Sequence, residues 1–393
     1  MVQATIREFY LLTALSQGGI AVISATYVIF LQSKGLNLFE VNMVNFVFFL
    51  TLFLCEIPTG AFADVFGRKS SYIVSCAIFA SSMIIYAYSE SFWGFALAEA
   101  VGAIGSTFAS GAFRAWFVDK LRHHGYTGGL NPIFAKAAQI RHGARIVSAL
   151  LGAFLADIWM PLPWLVGSGF FLTCGAIASF LKEEYFTPRK FSLQERLSAI
   201  RQTVKASYEY GYRSKNVRFV LVLVIMQIFA LKGPDMQWQP FFGDELAHKA
   251  SLGFIWTAMV LSMMYGAWLA PRILRKTAEE RKALAMCQIT IGIGVAGAAI
   301  LGWLPISLVL FFLHEVGRGA FEPIKEAYLH DNIPSKERAT IESFESLAHH
   351  GGGMIGLFVS GVLAQQLGIS WTWIIVGTIL ILVTIVVAKN SKK

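Results

Sequence analysis

The chain has 393 residues, 55% of them hydrophobic and only 15% charged, with a formal net charge of +9. A soluble domain this apolar would expose adhesive surface, whereas a polytopic membrane protein has lipid to cover it. Twelve helices of about 20 residues with short loops use up this length and leave no room for a soluble domain of ordinary size.

The first apolar run extends from Phe9 to Leu31. It is too long for the core of a secretory leader, and no small-residue cleavage site follows, so it reads as a helix. Successive apolar runs predict helices over 9–32, 38–62, 70–88, 92–118, 133–157 and 162–181. After a gap they resume over 216–243, 249–274, 283–303, 305–330, 337–366 and 370–388. The last is almost pure Ile, Val, Leu and Thr, as suits an outer helix facing lipid. Cys55, Cys76, Cys174 and Cys287 stand singly in apolar segments without a CxxC. They read as small core residues, and neither a disulfide nor a metal nor any cofactor is expected.

Lys and Arg fix the orientation. Arg7, Arg68, Lys69, Lys120, Arg122, the 182–218 segment, Arg272 to Lys282, Lys336, Arg338 and Lys389 to Lys393 share one side. Only Lys34 and Lys249 stand in loops opposite. The positive-inside rule places both termini in the cytoplasm of a multi-pass cell (inner) membrane protein. The basic balance is thereby explained by topology, and no nucleic acid is expected as a partner.

Residues 182–215 form the one long loop. Ser192 and Glu195 fit a capping box, after which Leu193, Leu197, Ile200 and Val204 recur at helical spacing beside Arg196, Arg201 and Lys205. This predicts a basic amphipathic helix on the inner leaflet, joining two halves, 1–181 and 216–393. The halves echo each other. Ala115 to Asp119 (AWFVD) matches Ala327 to Asp331 (AYLHD), and Gly105 and Gly317 keep the same offset. His142-Gly143 recurs as His350-Gly351 near that offset.

The loop from Gly60 to Ser71, GAFADVFGRKSS, carries the spacing Gly60-x-x-x-Asp64-x-x-Gly67-Arg68-Lys69. That spacing resembles the loop between helices 2 and 3 of the major facilitator superfamily, in particular its bacterial efflux permeases. The resemblance implies an all-α membrane protein of 12 transmembrane helices in two pseudo-symmetric six-helix bundles. It implies alternating access, with helices 1, 4, 7 and 10 lining the cavity. It also implies a cytoplasmic gate. Asp64 would face the amino end of helix 11 near Ser335 to Arg338, and Arg68 would pair with Asp119. The bland alternative is that Arg68 and Lys69 only anchor the topology. The counterpart loop, Gly266 to Lys282, is degenerate, with Ala270 in place of the acid.

Other intramembrane charges are candidates for proton and substrate handling. Glu99 stands on helix 4 about where many proton-coupled relatives carry an arginine. Glu56, before Ile57-Pro58, reads either as functional or as a structural partner for Arg114 or Arg141. Arg141 and Arg145 lie one turn apart on helix 5, open to an anionic substrate or to the acids. Helix 5 has Gly143 and Gly152 but lacks the proline of the antiporter signature. Gly233, Pro234 and Pro240 predict a broken helix 7 that presents Asp235, Gln237 and Trp238 to a cavity. Helix 10 contributes Glu315 and Arg318, with Glu322, Lys325 and Glu326 at helical spacing, and helix 11 adds Glu342, Glu345, His349 and His350. No ligand spacing supports a metal.

No Walker loop, nucleophile elbow or dinucleotide fingerprint is present, so an enzyme is not expected and energy should come from an ion gradient. Protons are the favoured ion and sodium the alternative. The expected function is proton-coupled export of a small organic molecule. Uptake of an organic anion and a non-transporting membrane receptor are the rival readings. The expected partners are the substrate, protons and lipid, with the chain a monomer.

Overall fold

A computed structural model describes residues 1–181, 183, 215–243, 245–277, 279–332 and 335–390, without the side chains of 57, 58, 60, 61, 330, 335–348 and 390. The amphipathic helix expected within 182–215 lies outside the described residues.

The described residues form helices and no strands. They are α1 (Val2–Ala21), α2 (Tyr27–Ser33), α3 (Leu38–Phe66), α4 (Arg68–Tyr88), α5 (Phe92–Ala109), α6 (Ala112–His123), α7 (Asn131–Ile158) and α8 (Leu162–Phe180). Then come α9 (Lys215–Gly243), α10 (Ala250–Thr277), α11 (Glu280–Ile300), α12 (Leu304–Asn332), α13 (Ser335–Leu367) and α14 (Ile369–Asn390). Among the described residues, 9 of the spans are long and apolar enough to cross a membrane.

Two compact units emerge. One holds Met1–Leu36, Val47–Ser192 and Leu246–Thr257, the other Asn37–Phe46, Leu193–Glu245 and Ala258–Lys393. The first turns of α3 group with the second unit and those of α10 with the first. Specific bonds hold each exchanged segment. Asn42 donates to the Leu357 carbonyl at 2.9 Å and to Ser360 Oγ at 3.0 Å. The Asp157 carboxylate accepts from the backbone N–H groups of Lys249 and Ala250 at 3.0 and 3.1 Å, capping the start of α10.

In the first unit, α4 packs on α5 through a stripe of serines. Ser71, Ser75 and Ser82 donate to the carbonyls of Phe108, Gly105 and Ala98 at 2.7, 2.6 and 2.8 Å. Small hydroxyl residues let the two backbones approach and satisfy their own donors, which is how helices pack where lipid offers no hydrophobic drive. In the second unit longer amides do the same work. Gln288 donates to the Leu223 carbonyl at 3.0 Å. Gln237 donates to the Ser360 carbonyl at 3.2 Å and accepts from Trp373 Nε1 at 3.0 Å.

Three helices differ from the sequence reading. The expected helix 9–32 is two pieces, interrupted over Val22 to Thr26, where Ser24 and Thr26 N–H bond three residues back to Ala21 and Ile23. The hydroxyls of this stretch compete for backbone partners; Ser24 Oγ bonds the Ile20 carbonyl at 3.4 Å. The expected helix 92–118 breaks at Ser110 and Gly111, where φ is +70°, a conformation that only glycine adopts without strain. Conversely, α9 runs unbroken through Pro234 and Pro240. Tight packing holds it: a Cβ on Gly233 would lie 3.3 Å from Ser360 Cβ and 3.6 Å from Thr372. The interruptions fall in helices 1 and 4 rather than in helix 7. Of the cysteines, Cys76, Cys174 and Cys287 are buried and Cys55 is half-buried, and all four are free.

Candidate functional site

The loop between α3 and α4 is a single residue, Gly67, with φ of +94°, which allows the chain to reverse into α4. Arg68 Nη1 then forms an ion pair with Asp119 Oδ2 of α6. Lys69 Nζ donates to the Ser179 carbonyl at 3.0 Å. Glu183, which the sequence reading did not single out, accepts from the Lys69 backbone N–H at 3.1 Å. Burial pushes its carboxyl pKa up, against the pull of that N–H. Its signal was an acid just past helix 6, facing a basic loop. Asp64 is half-buried. Its expected counterpart at 335–338 has side chains outside the described residues, and so does Gly60's surround.

Deeper in the first unit, Glu99 of α5 is 9% exposed. Tyr27 of α2 donates to its Oε1 at 2.8 Å, and the Tyr86 hydroxyl of α4 lies 3.1 Å from that of Tyr27. Tyr86 stacks on Trp164 at 3.9 Å between centroids, and Phe30 and Phe95 close the aromatic cage. Among the described residues no cation pairs with Glu99. The break between α1 and α2 is what turns Tyr27 toward it. Neither Tyr27 nor Tyr86 had a pattern in the sequence that marked it as a partner of Glu99.

Arg141 and Arg145 do not meet these acids. Arg141 is exposed, Arg145 and His142 are half-buried, and no hydrogen bond or ion pair reaches either arginine among the described residues. Glu56 is exposed, and Arg114 stacks over the Phe134 ring at 4.4 Å instead of pairing with Glu56.

The second unit gathers Asp235, Glu315 and Arg318. Arg318 Nη1 is 2.9 Å from Asp235 Oδ1 and 3.7 Å from Glu315 Oε1. His314 Nε2 lies 3.5 Å from Glu315, and His314 Nδ1 bonds the Phe311 carbonyl. One face down, Lys325 pairs with Glu322 at 2.7 Å and approaches Glu326 at 3.9 Å. Trp238 belongs to the core at 1% exposure instead of offering a stacking face. His349 and His350 lie with ring centroids 5.9 Å apart, whereas the side chains of Glu342 and Glu345 are outside the described residues. No group of three metal-ligating side chains occurs among the described residues.

Long apolar helices with buried, specifically partnered charges at mid-depth make up a membrane transport protein. The family model of the Major Facilitator Superfamily matches residues 9–307 and 279–391, and the chain belongs to that superfamily. It is 22% identical over 385 residues to the MFS-type transporter YxaM of Bacillus subtilis, covering 95% of this chain and 93% of that one. It is 21% identical over 334 residues to Multidrug resistance protein 2 of the same species, covering 82% and 79%. Among solved structures, the nucleoside transporter NupG superposes with a TM-score of 0.78 at 14% identity, over 99% of this chain and 98% of that one, a likeness of fold. The protein is a multi-pass membrane transporter and not an enzyme.

Proposed function

We propose that the chain is a proton-coupled secondary transporter that exports a small organic molecule by alternating access, with Glu99 as the proton carrier. Counting α1 with α2 and α5 with α6 as one span each gives twelve spans, six per half about the 182–215 segment. The basic loops argue for cytoplasmic termini in the cell membrane. The similarity to Multidrug resistance protein 2 supports export.

The observation that carries this reading is the company of Glu99. A buried carboxylate with no cation is tolerated in a membrane helix when a proton neutralises it. Phenol hydroxyls suit both forms, since they donate to the carboxylate and accept from the acid. Asp235 and Glu315 instead face Arg318, whereas no cation pairs with Glu99 among the described residues. The Arg68–Asp119 pair, with Gly60, Asp64, Gly67 and Lys69 around it, then serves as the cytoplasmic gate.

The test is transport in inside-out vesicles. A pH gradient is monitored by dye quenching while ethidium, benzoate or phenyl phosphate is added. The wild type should dissipate the gradient with at least one compound. Glu99→Gln, which still accepts from Tyr27, should abolish gradient-driven accumulation and spare exchange between equal pools. Full uphill transport by Glu99→Gln would overturn the assignment, and accumulation only in right-side-out vesicles would reverse the direction.

A further inference from the structure

The two units treat their central charges differently. In the second, Arg318 faces Asp235 and Glu315, so its charges are met by charges. In the first, Glu99 is satisfied by Tyr27, and Arg141, His142 and Arg145 of α7 have no hydrogen-bond or ion-pair partner among the described residues. Arg145 stands at the midpoint of the 28-residue α7. Arg141 lies one turn earlier on the same face, about 6 Å along the axis. Between them, His142 has a sheltered Nδ1 with no hydrogen-bond partner.

Depth and packing sharpen the point. Three residues beyond Arg145, Ser148 Oγ abuts Gly18 of α1, and at Gly152 the backbone of α7 touches the Val22 carbonyl. Arg145 therefore sits at mid-helix, one turn from a tight helix crossing. Gln17, the neighbour of Gly18, is also half-buried and makes no side-chain hydrogen bond among the described residues. Bare guanidinium groups at mid-helix in a membrane protein are costly unless something negative meets them. Secondary transporters hold their substrates near the membrane midplane.

We propose that Arg145, with Arg141 and His142, binds an organic anion, a carboxylate or phosphate monoester, and that this anion is the cargo. The guanidinium of Arg145 meets the anion's two oxygens as a fork, Arg141 adds a second positive charge, and the His142 ring supplies a neutral donor. Gln17 offers an amide to the rest of the molecule. The anion replaces the internal acid that the site lacks, so the empty site is electrostatically frustrated and the loaded one is not. This inference rests on the reading of the chain as a transporter. Its test is binding, which needs no flux, so failure of coupling at Glu99 and failure of anion recognition are separate results.

Purified full-length protein in detergent is melted with benzoate, phenyl phosphate or tetraphenylphosphonium. The wild type should gain melting temperature with benzoate or phenyl phosphate, whichever of the two anion chemistries fits, and not with the cation. Arg145→Gln should melt at or above the wild-type temperature without ligand and lose the anion shift. Arg145→Lys should leave most of that loss in place, because an ammonium lacks the planar fork. Arg141→Gln, at an exposed position, gives a second reading and should weaken the shift. A lowered melting temperature of Arg145→Gln without ligand would reveal an internal acid partner and overturn the proposal. So would stabilisation by the cation, or by neither anion.

Discussion

Glu99 and Glu315 are both buried on membrane helices, at 9% and 4% exposure, yet their company differs. Arg318 and His314 surround Glu315, whereas hydroxyls surround Glu99. Neutralising the two should therefore have different consequences for stability. Glu315→Gln removes one of two carboxylates facing Arg318. Breaking a fully buried pair costs about 3–5 kcal/mol; Arg318 is 35% exposed and keeps Asp235, so about 1–2 kcal/mol is expected here. Glu99→Gln should melt close to the wild type. Thermal unfolding of both variants in one detergent checks this, and a Glu99→Gln variant less stable than Glu315→Gln would contradict it. At this scale the sequence marked the charged residues well, since a carboxylate or guanidinium inside an apolar run is conspicuous. It paired Arg68 with Asp119 as the structure does. It did not pair Tyr27 or Tyr86 with Glu99, because a tyrosine hydroxyl in an apolar helix does not declare its partner until it is placed.

Helix breaks decide which side chains reach the interior. The break over Val22 to Thr26 coincides with a close backbone approach of α7 in the first unit. A Cβ at Gly152 would lie 1.6 Å from the Val22 carbonyl oxygen and 2.6 Å from its carbon. Backbone cannot rotate away as a side chain can, so Gly152→Ala must push α7 off α1. The expected cost is about 3 kcal/mol or more, at the upper end of overpacking effects. Gly143→Ala is the control. Nothing lies within 4 Å of its Cβ, and alanine should gain up to about 1 kcal/mol of helix propensity. Melting temperatures of the pair decide it, and equal values would remove the contact from the account. The second unit repeats the device, where a Cβ on Gly356 of α13 would lie 2.8 Å from the Phe229 carbonyl oxygen of α9. From sequence, Gly143 and Gly152 were equivalent glycines on one helix. The expectation of a broken helix 7 leaned on its prolines, whose missing N–H groups are absorbed by a well-packed neighbourhood.

At the scale of the whole molecule, topology follows from charge. Single cysteines at Glu90 and at His124, in a background with the four native cysteines replaced by alanine, should react with a membrane-impermeant maleimide from opposite sides. Glu90 should label on intact cells and His124 only after lysis. Labelling of both from one side would sink the proposed orientation and with it the cytoplasmic gate. The exchanged segments of α3 and α10 were invisible to the sequence, because nothing in a loop's composition states which neighbours its helix will touch.

The sequence by itself determined that this is a helical membrane protein and to which superfamily its glycine-marked loop belongs. Those properties are local or additive: hydropathy sums along a segment, charge counts along a loop, and a tight turn needs its glycine in place. Only the tertiary structure decided that Glu99 keeps company with tyrosines, that Arg318 bridges Asp235 and Glu315, and that Arg141 and Arg145 meet no acid among the described residues. Partner choice depends on which helices lie side by side and on where they break. A buried charge declares in sequence that it must be answered, but for Glu99 and Asp235 the answer comes from Tyr27 and Arg318, 72 and 83 positions away, brought near only by packing.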